Sequence, residues 1–343
     1  MSNSLTDSFI SYIAGIRRYS PRTQTIYRDA LDRFFEWLDC PYGGTGTYPR
    51  THDNSVPGNT SPDRITDLIG GQTIRAYEVH LLDEEKMGSR TVNLHLSILS
   101  SFCKHLVKEG IIAANPVRLV PKPKTSKRLP VFYREDSMKE YFRQTEYYVS
   151  EEFLEVIIQT SDRENYRKML NRIIVSILYG TGIRRSELIG LTRGSLDRER
   201  SVLRVRGKGD KVREIPVTSS LLKEISLYLI AVSSLICYAP SAGTPLLMTP
   251  NGGKLYPVFV DRVIKEELGA VEGITGRKSP HVLRHTIASE LLDKGADLNS
   301  IKEFLGHSSL AATQVYTHST IDRLQKVYNN AHPRAKKGGN NGD

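Results

Sequence analysis

SVLRVRGKGDKVREIPV, residues 201–217, alternates apolar and polar side chains on both sides of a Gly207-Lys208-Gly209-Asp210 turn. Alternation with period two marks a half-buried strand, and glycine supplies the positive φ that a tight turn requires. The stretch therefore predicts a β-hairpin. It stands alone, because the sequence on both sides reads as helices. The expected fold is mainly α, with one small antiparallel β-sheet in the second half.

With 343 residues the chain is long for a single hydrophobic core, so two domains are expected. In the first, Ser20-Pro21 reads as an N-cap followed by a first-turn proline. Ile26, Ala30, Leu31, Phe34, Phe35 and Leu38 then recur at helical spacing. A Gly-, Pro-, Thr- and Asn-rich segment at 41–62 predicts a long loop. Further helices are expected at 71–84, at 89–108 and just before Ala113-Ala114-Asn115-Pro116. Three prolines and Arg118, Lys122, Lys124, Lys127 and Arg128, with no acid among them, then predict an extended connector. It reads either as a plain linker or as a basic strap along a phosphate backbone. The resulting division is a helical domain at 1–120, a linker at 121–130 and a second domain at 131–343 that ends in a polar tail.

Apolar residues make up 39% and charged residues 25%, a globular balance without an apolar run long enough to span a membrane. The N-terminus lacks the basic start and apolar stretch of a secretory signal. Cys40, Cys103 and Cys237 are odd in number and far apart, which fits a reducing cytoplasm and argues against a disulfide frame. Net charge is +10, and its distribution is uneven. Residues 1–120 hold 13 basic and 13 acidic side chains, so the whole excess lies beyond them. A basic excess fits a polyanionic partner, with a solvated basic surface as the plain alternative.

Four motifs in the second half carry polar chemistry. In SILYGTGIRRSELIGL (176–191) an apolar helix is expected to end at Gly180. Thr181 would cap the next helix, with Arg184 in its first turn and Glu187 on the same face. A free helix start beside an arginine makes an anion site; the alternative is an ordinary surface ion pair. Lys208 on the hairpin turn is either solvated or projected into a groove, where an ammonium can protonate a leaving oxygen. In KSPHVLRHTIASELLDKG (278–295), Ser279-Pro280 starts a helix that sets His281, Arg284 and His285 on one face. An arginine between two histidines disfavours zinc and favours an anion. Finally, EFLGHSSLAATQVYTHS (303–319) places His307 after a glycine helix end and Tyr316 on a short helix. Taken alone, Tyr316 reads as a packed core tyrosine.

Taken together, these residues suit attack on a phosphodiester. Arg, His and Lys donors match the negative charge that develops on the phosphoryl oxygens. A tyrosine nucleophile makes a covalent phosphoester and splits one hard step into two. The set contains no carboxylate cluster for a two-metal site, so neither metal nor cofactor is expected.

These boxes resemble those of the tyrosine recombinase (phage integrase) family, and most of all its bacterial Xer branch. TGIRRSEL resembles the first arginine box, GKGDKVREIPV the β-hairpin box, HVLRH the His-x-x-Arg box and LGHSSLAATQVYTH the final box. They occur in the family's order across roughly residues 135–330. The resemblance implies a helical core-binding domain that clamps DNA and a mostly α catalytic domain. It implies Arg184, Lys208, His281, Arg284 and His307 as catalytic residues with Tyr316 as nucleophile, and Glu187 and His285 as their support. It implies a 3′-phosphotyrosine intermediate, a Holliday junction, and four protomers on two specific double-stranded DNA sites. The tetramer is homomeric or shared with a second recombinase, and an accessory activator is a further implied partner. Helix 320–330 is expected to dock on a neighbouring protomer. Two features depart from the pattern: the 41–62 segment is long for the Xer branch, and Arg185 stands where an apolar residue is usual.

Chromosome dimer resolution is the role this resemblance implies. A phage or mobile-element integrase is the related alternative, though helices beginning within about 20 residues of Met1 leave little room for an arm-binding domain. A catalytically silent DNA-binding protein is the alternative of another class, and a type IB topoisomerase shares the residue set but is usually larger.

Overall fold

The computed structural model describes residues 4–39, 69–125, 131–207, 210–236 and 241–306. Within them the hairpin forms as β2 (Val202–Arg206) and β3 (Val212–Pro216), paired antiparallel with Leu203 opposite Ile215. A short strand β1 (Leu196–Asp197) adds to the other edge of β2, giving the order β1-β2-β3. Two residues are too few to show an alternation, so β1 left no pattern in the sequence. The turn closes with Gly207 N donating to Lys211 O at 2.8 Å. Among the described turn residues the positive φ belongs to Asp210, at +62°, rather than to Gly207. Aspartate tolerates that conformation better than most residues. Lys208 and Gly209 lie outside the described residues.

The chain divides into two compact units, residues 1–128 and 129–343. The N-terminal unit contains α1 (Ser4–Gly15), α2 (Pro21–Asp39), α3 (Gly71–Val79, continued by a π turn over His80–Glu84) and α4 (Ser89–Lys108). Ser20 Oγ accepts from Thr23 N at 3.3 Å, as a residue before a first-turn proline can. The core face of α2 is Ala30, Leu31, Phe34 and Trp37, while Ile26 at the same spacing is exposed. Phe9, Tyr77, Leu96 and Phe102 pack on that face without solvent exposure. Cys103 is buried and free, and burial pushes its thiol up to about 12.

No helix forms just before Ala113, contrary to the sequence expectation. Gly110 takes φ +72° past the end of α4, and a single 3-10 turn (Pro116–Leu119) follows instead. Asn115 caps that turn by accepting from Val117 N at 3.1 Å. Of the basic connector, Lys122 and Lys124 are exposed, and Lys122 Nζ donates to Ser97 Oγ at 3.1 Å. Lys127, Arg128 and the 41–62 segment lie outside the described residues.

The C-terminal unit holds α5 (Glu135–Gln144), α6 (Glu151–Thr160), α7 (Arg163–Thr181), α8 (Arg185–Gly190), α9 (Ser219–Leu235), α10 (Pro257–Glu267), α11 (Pro280–Asp293) and α12 (Leu298–Leu305). Every residue of α7 from Met169 to Thr181 is buried, so α7 is the central helix of this core. Its buried Arg172 is neutralised by Glu224 of α9, with Nη2 3.1 Å from Oε1. Tyr179 Oη donates to Glu290 Oε2 at 2.7 Å and so ties α7 to α11. No described helix is long and apolar enough to cross a membrane.

Candidate active site

The end of α7 builds the first part of the site. The helix ends at Gly182 rather than Gly180, and Thr181 is its last residue, not a cap. Gly182 takes φ +60° and donates its N–H to Leu178 O at 3.0 Å. A Cβ there would stand 2.7 Å from Leu305 Cδ2 and 3.1 Å from Ile287 Cγ2. Both the left-handed conformation and the close approach of α11 and α12 therefore select glycine. Arg184 is pushed back to the N-cap of α8, ahead of the first turn where the sequence set it.

Glu187, in the first turn of α8, is the acid around which the site forms. Its Oε2 accepts from Arg184 N at 2.8 Å and its Oε1 from Arg184 Nη1 at 2.9 Å. Arg213 of β3 binds the same carboxylate with both terminal nitrogens, Nη1 to Oε1 at 3.0 Å and Nη2 to Oε2 at 2.8 Å. Burial alone would raise the pKa of Glu187. The bonds and charges of Arg213 and Arg184 outweigh it and hold the carboxyl below its usual value. Removing either member of such a buried pair costs on the order of 3–5 kcal/mol, because the other charge is left uncompensated.

Arg284 enters from α11, whose start at Ser279-Pro280 is where the sequence put it. The three residues expected on one face divide: Arg284 is buried, while His281 and His285 are exposed. Arg284 Nη1 donates to Gly182 O at 2.5 Å and Nη2 to Leu305 O at 2.6 Å. Burial, then the neighbouring Arg184 charge, push its guanidinium down to about 10, where it is still charged at neutral pH. Burial also lowers the pKa of His281, followed by the charges of Arg185, His285, Arg284 and Arg277. The shift favours the neutral imidazole. Among the described residues His285 hydrogen-bonds neither Arg184 nor Arg284. Arg185 is held by Asp261 of α10.

The two arginines converge on one turn. α12 ends at Gly306, φ +68°, whose carbonyl accepts from Arg184 Nη2 at 3.1 Å while the carbonyl of Leu305 takes Arg284. Each Nη nitrogen carries two hydrogens, so among the described residues every one of these nitrogens keeps a donor for a further ligand. Among the described residues Arg184 and Arg213 bond the carboxylate of Glu187 and Arg284 lies within its electrostatic reach, so three positive charges share one negative charge, which suits a phosphate. His307 comes directly after this turn in the chain and Tyr316 further along it; both lie outside the described residues, as does Lys208.

Arg213 was missed in the sequence. Its signal was an inverted alternation: on β3, Val212 is 51% exposed while Arg213 is 7% exposed. An arginine on the buried side of a strand needs a buried acid, and nothing local indicated that Glu187 supplies it.

Residues 148–323 match the Phage integrase family, and residues 5–112 match the Phage integrase N-terminal SAM-like domain. The Tyrosine recombinase XerC of Chlorobaculum parvum is 31% identical over 332 residues, 96% of this chain and 94% of the relative. That of Bacillus licheniformis is 37% identical over 256 residues, 74% and 79% of the two chains. Among solved structures, the XerH site-specific recombinase bound to its difH substrate shares the fold with a TM-score of 0.61. The identity is 17%, over 94% of this chain and 81% of that one. The Tn1549 transposon integrase in complex with circular intermediate DNA gives a TM-score of 0.60 at 19% identity, over 93% and 98%. With both units matched in order and the Chlorobaculum parvum relative aligned over nearly its whole length, the chain belongs to the phage integrase family and is a tyrosine recombinase of the Xer-like type.

Proposed function

We propose that the chain is a site-specific recombinase that cuts and rejoins double-stranded DNA, in the role of chromosome dimer resolution. The observation that carries the reading is the convergence of Arg184 and Arg284 on the Leu305–Gly306 turn, with donors to spare and a surplus of positive charge. In the proposed reaction Arg184, Arg284 and His307 hold the non-bridging oxygens of the scissile phosphate. The Tyr316 oxygen forms the new bond to phosphorus, and its proton passes to neutral His281. The bond from phosphorus to the 5′-oxygen breaks, and Lys208 protonates that oxygen as it leaves. The product is a 3′-phosphotyrosine and a free 5′-hydroxyl. The reverse attack by a 5′-hydroxyl of the partner duplex restores the DNA, so bond energy is conserved and no ATP or water nucleophile is required.

The family implies four protomers on two sites, either identical or shared with a second recombinase, and an accessory activator in the bacterial cytoplasm. On this reading residues 1–120 are the DNA clamp and residues 131–343 the catalytic domain. The curated XerC relatives favour chromosome dimer resolution over a mobile-element role. The test is to incubate the protein with sheared genomic DNA of its source and sequence the fragments that become covalently attached. Enrichment of one chromosomal locus with inverted half-sites is expected. Fragments scattered without a shared sequence would contradict site specificity, and a locus flanking an integrated element would favour the integrase role.

The connector at 121–130 is assigned to the DNA backbone on its charge and on the exposure of Lys122 and Lys124. Replacing Lys122, Lys124 and Lys127 by glutamine is expected to reduce the slope of log affinity against log salt by about 0.9 for each phosphate that is no longer neutralised. An unchanged slope in a fluorescence-anisotropy titration would leave the segment as a plain linker.

A further inference from the structure

Arg213 is placed where a strand would ordinarily bury an apolar side chain, while Val212 faces outward in its stead. Burying a guanidinium carries a desolvation cost that packing alone does not require. Its two terminal nitrogens are committed to Glu187, the acid that fixes both the backbone and the side chain of Arg184. Each carboxylate oxygen thus takes one bond from either arginine, and Glu187 cannot turn for one without turning for the other. The opposite side of Arg213 lies against the turn that ends α12. A Cβ on Gly306 would stand 2.9 Å from both Cζ and Nε of Arg213. The Gly306 carbonyl in turn accepts from Arg184. Arg213 also belongs to the hairpin whose turn carries Lys208.

We propose that Arg213 is a positioning residue for strand cleavage. Through Glu187 it fixes the direction in which Arg184 presents its donors, and it sets β3 against the Gly306 turn. A forked guanidinium is required, since a single ammonium cannot hold both carboxylate oxygens in one plane. The proposal rests on Arg184 as a phosphate ligand.

The experiment measures single-turnover cleavage of a nicked duplex bearing the captured site, with DNA affinity and thermal unfolding recorded for each variant. Arg213→Lys keeps the buried charge but not the fork. It should bind DNA as the parent does and cleave about 10²-fold more slowly, the usual consequence of a slight misplacement of a reacting group. Glu187→Gln should also cleave slowly, and the Glu187→Gln/Arg213→Lys double variant should be no slower than Glu187→Gln alone. Parental cleavage by Arg213→Lys overturns the proposal. So do losses that multiply in the double variant, or a cleavage loss matched by an equal loss of affinity or folding. Arg184→Ala is run in parallel: if it cleaves like the parent, the phosphate-binding reading of Arg184 has failed. If it is impaired while Arg213→Lys is not, the failure belongs to Arg213 alone.

Discussion

Arg284→Ala is expected to cleave DNA about 10²–10³-fold more slowly than the parent, the scale of losing one preorganised donor to a developing oxyanion. Its affinity for duplex DNA should change little, because most of that affinity comes from backbone contacts spread over many basic residues. The size of the effect follows from where Arg284 sits. It is buried, it is oriented by the carbonyls of Gly182 and Leu305, and it shares the Leu305–Gly306 turn with Arg184. Alanine would also leave those two carbonyls unpaired, at about 1–3 kcal/mol each, so thermal stability should fall as well. Arg284→Lys separates the two losses: it restores a charge and some of the bonding but not the fork, and should recover stability more fully than cleavage. Single-turnover cleavage, duplex affinity and the unfolding midpoint of the two variants check this. A loss of affinity as large as the loss of rate would move Arg284 from the reaction to DNA binding.

Much of the fold was legible because it rests on local rules. The hairpin announced itself by alternation around Gly207–Asp210, and α11 by Ser279-Pro280. The ends at Gly182 and Gly306 obey one rule, a glycine in the left-handed region after the last turn. At Gly182 the sequence reading chose the wrong one of two nearby glycines, Gly180 or Gly182. What decides between them is the approach of Leu305 and Ile287, which no local pattern encodes. The same limit hid β1, whose two residues pair only because β2 offers an edge.

The candidate site was legible by residue type but not by arrangement. Arg184, Arg284 and Glu187 could be picked out by spacing and by resemblance. That Arg284 is buried while His281 and His285 stay exposed depends on how α11 packs against α7 and α12. Arg213 carried a warning in its inverted alternation, but its meaning depends on Glu187, 26 residues earlier in the chain. His307 and Tyr316 are carried by their place after Gly306 and by the final box.

Tyr316→Phe has the largest expected effect of all, because it removes the oxygen that forms the bond to phosphorus in the proposed reaction. Phenylalanine keeps the aromatic ring and loses only the hydroxyl, so folding and DNA affinity should persist while the covalent product disappears entirely. The proposed reaction draws its positive charge at the phosphate from arginine, histidine and lysine, so it should proceed in a chelator such as EDTA. The most direct measurement is a nicked suicide duplex incubated with protein in EDTA and resolved on a denaturing gel. A shifted protein–DNA band should form with the parent and be absent with Tyr316→Phe, the nucleophile then mapping to Tyr316 by peptide mass. An adduct that survives the substitution, or cleavage that leaves no covalent protein on the DNA, would contradict the account.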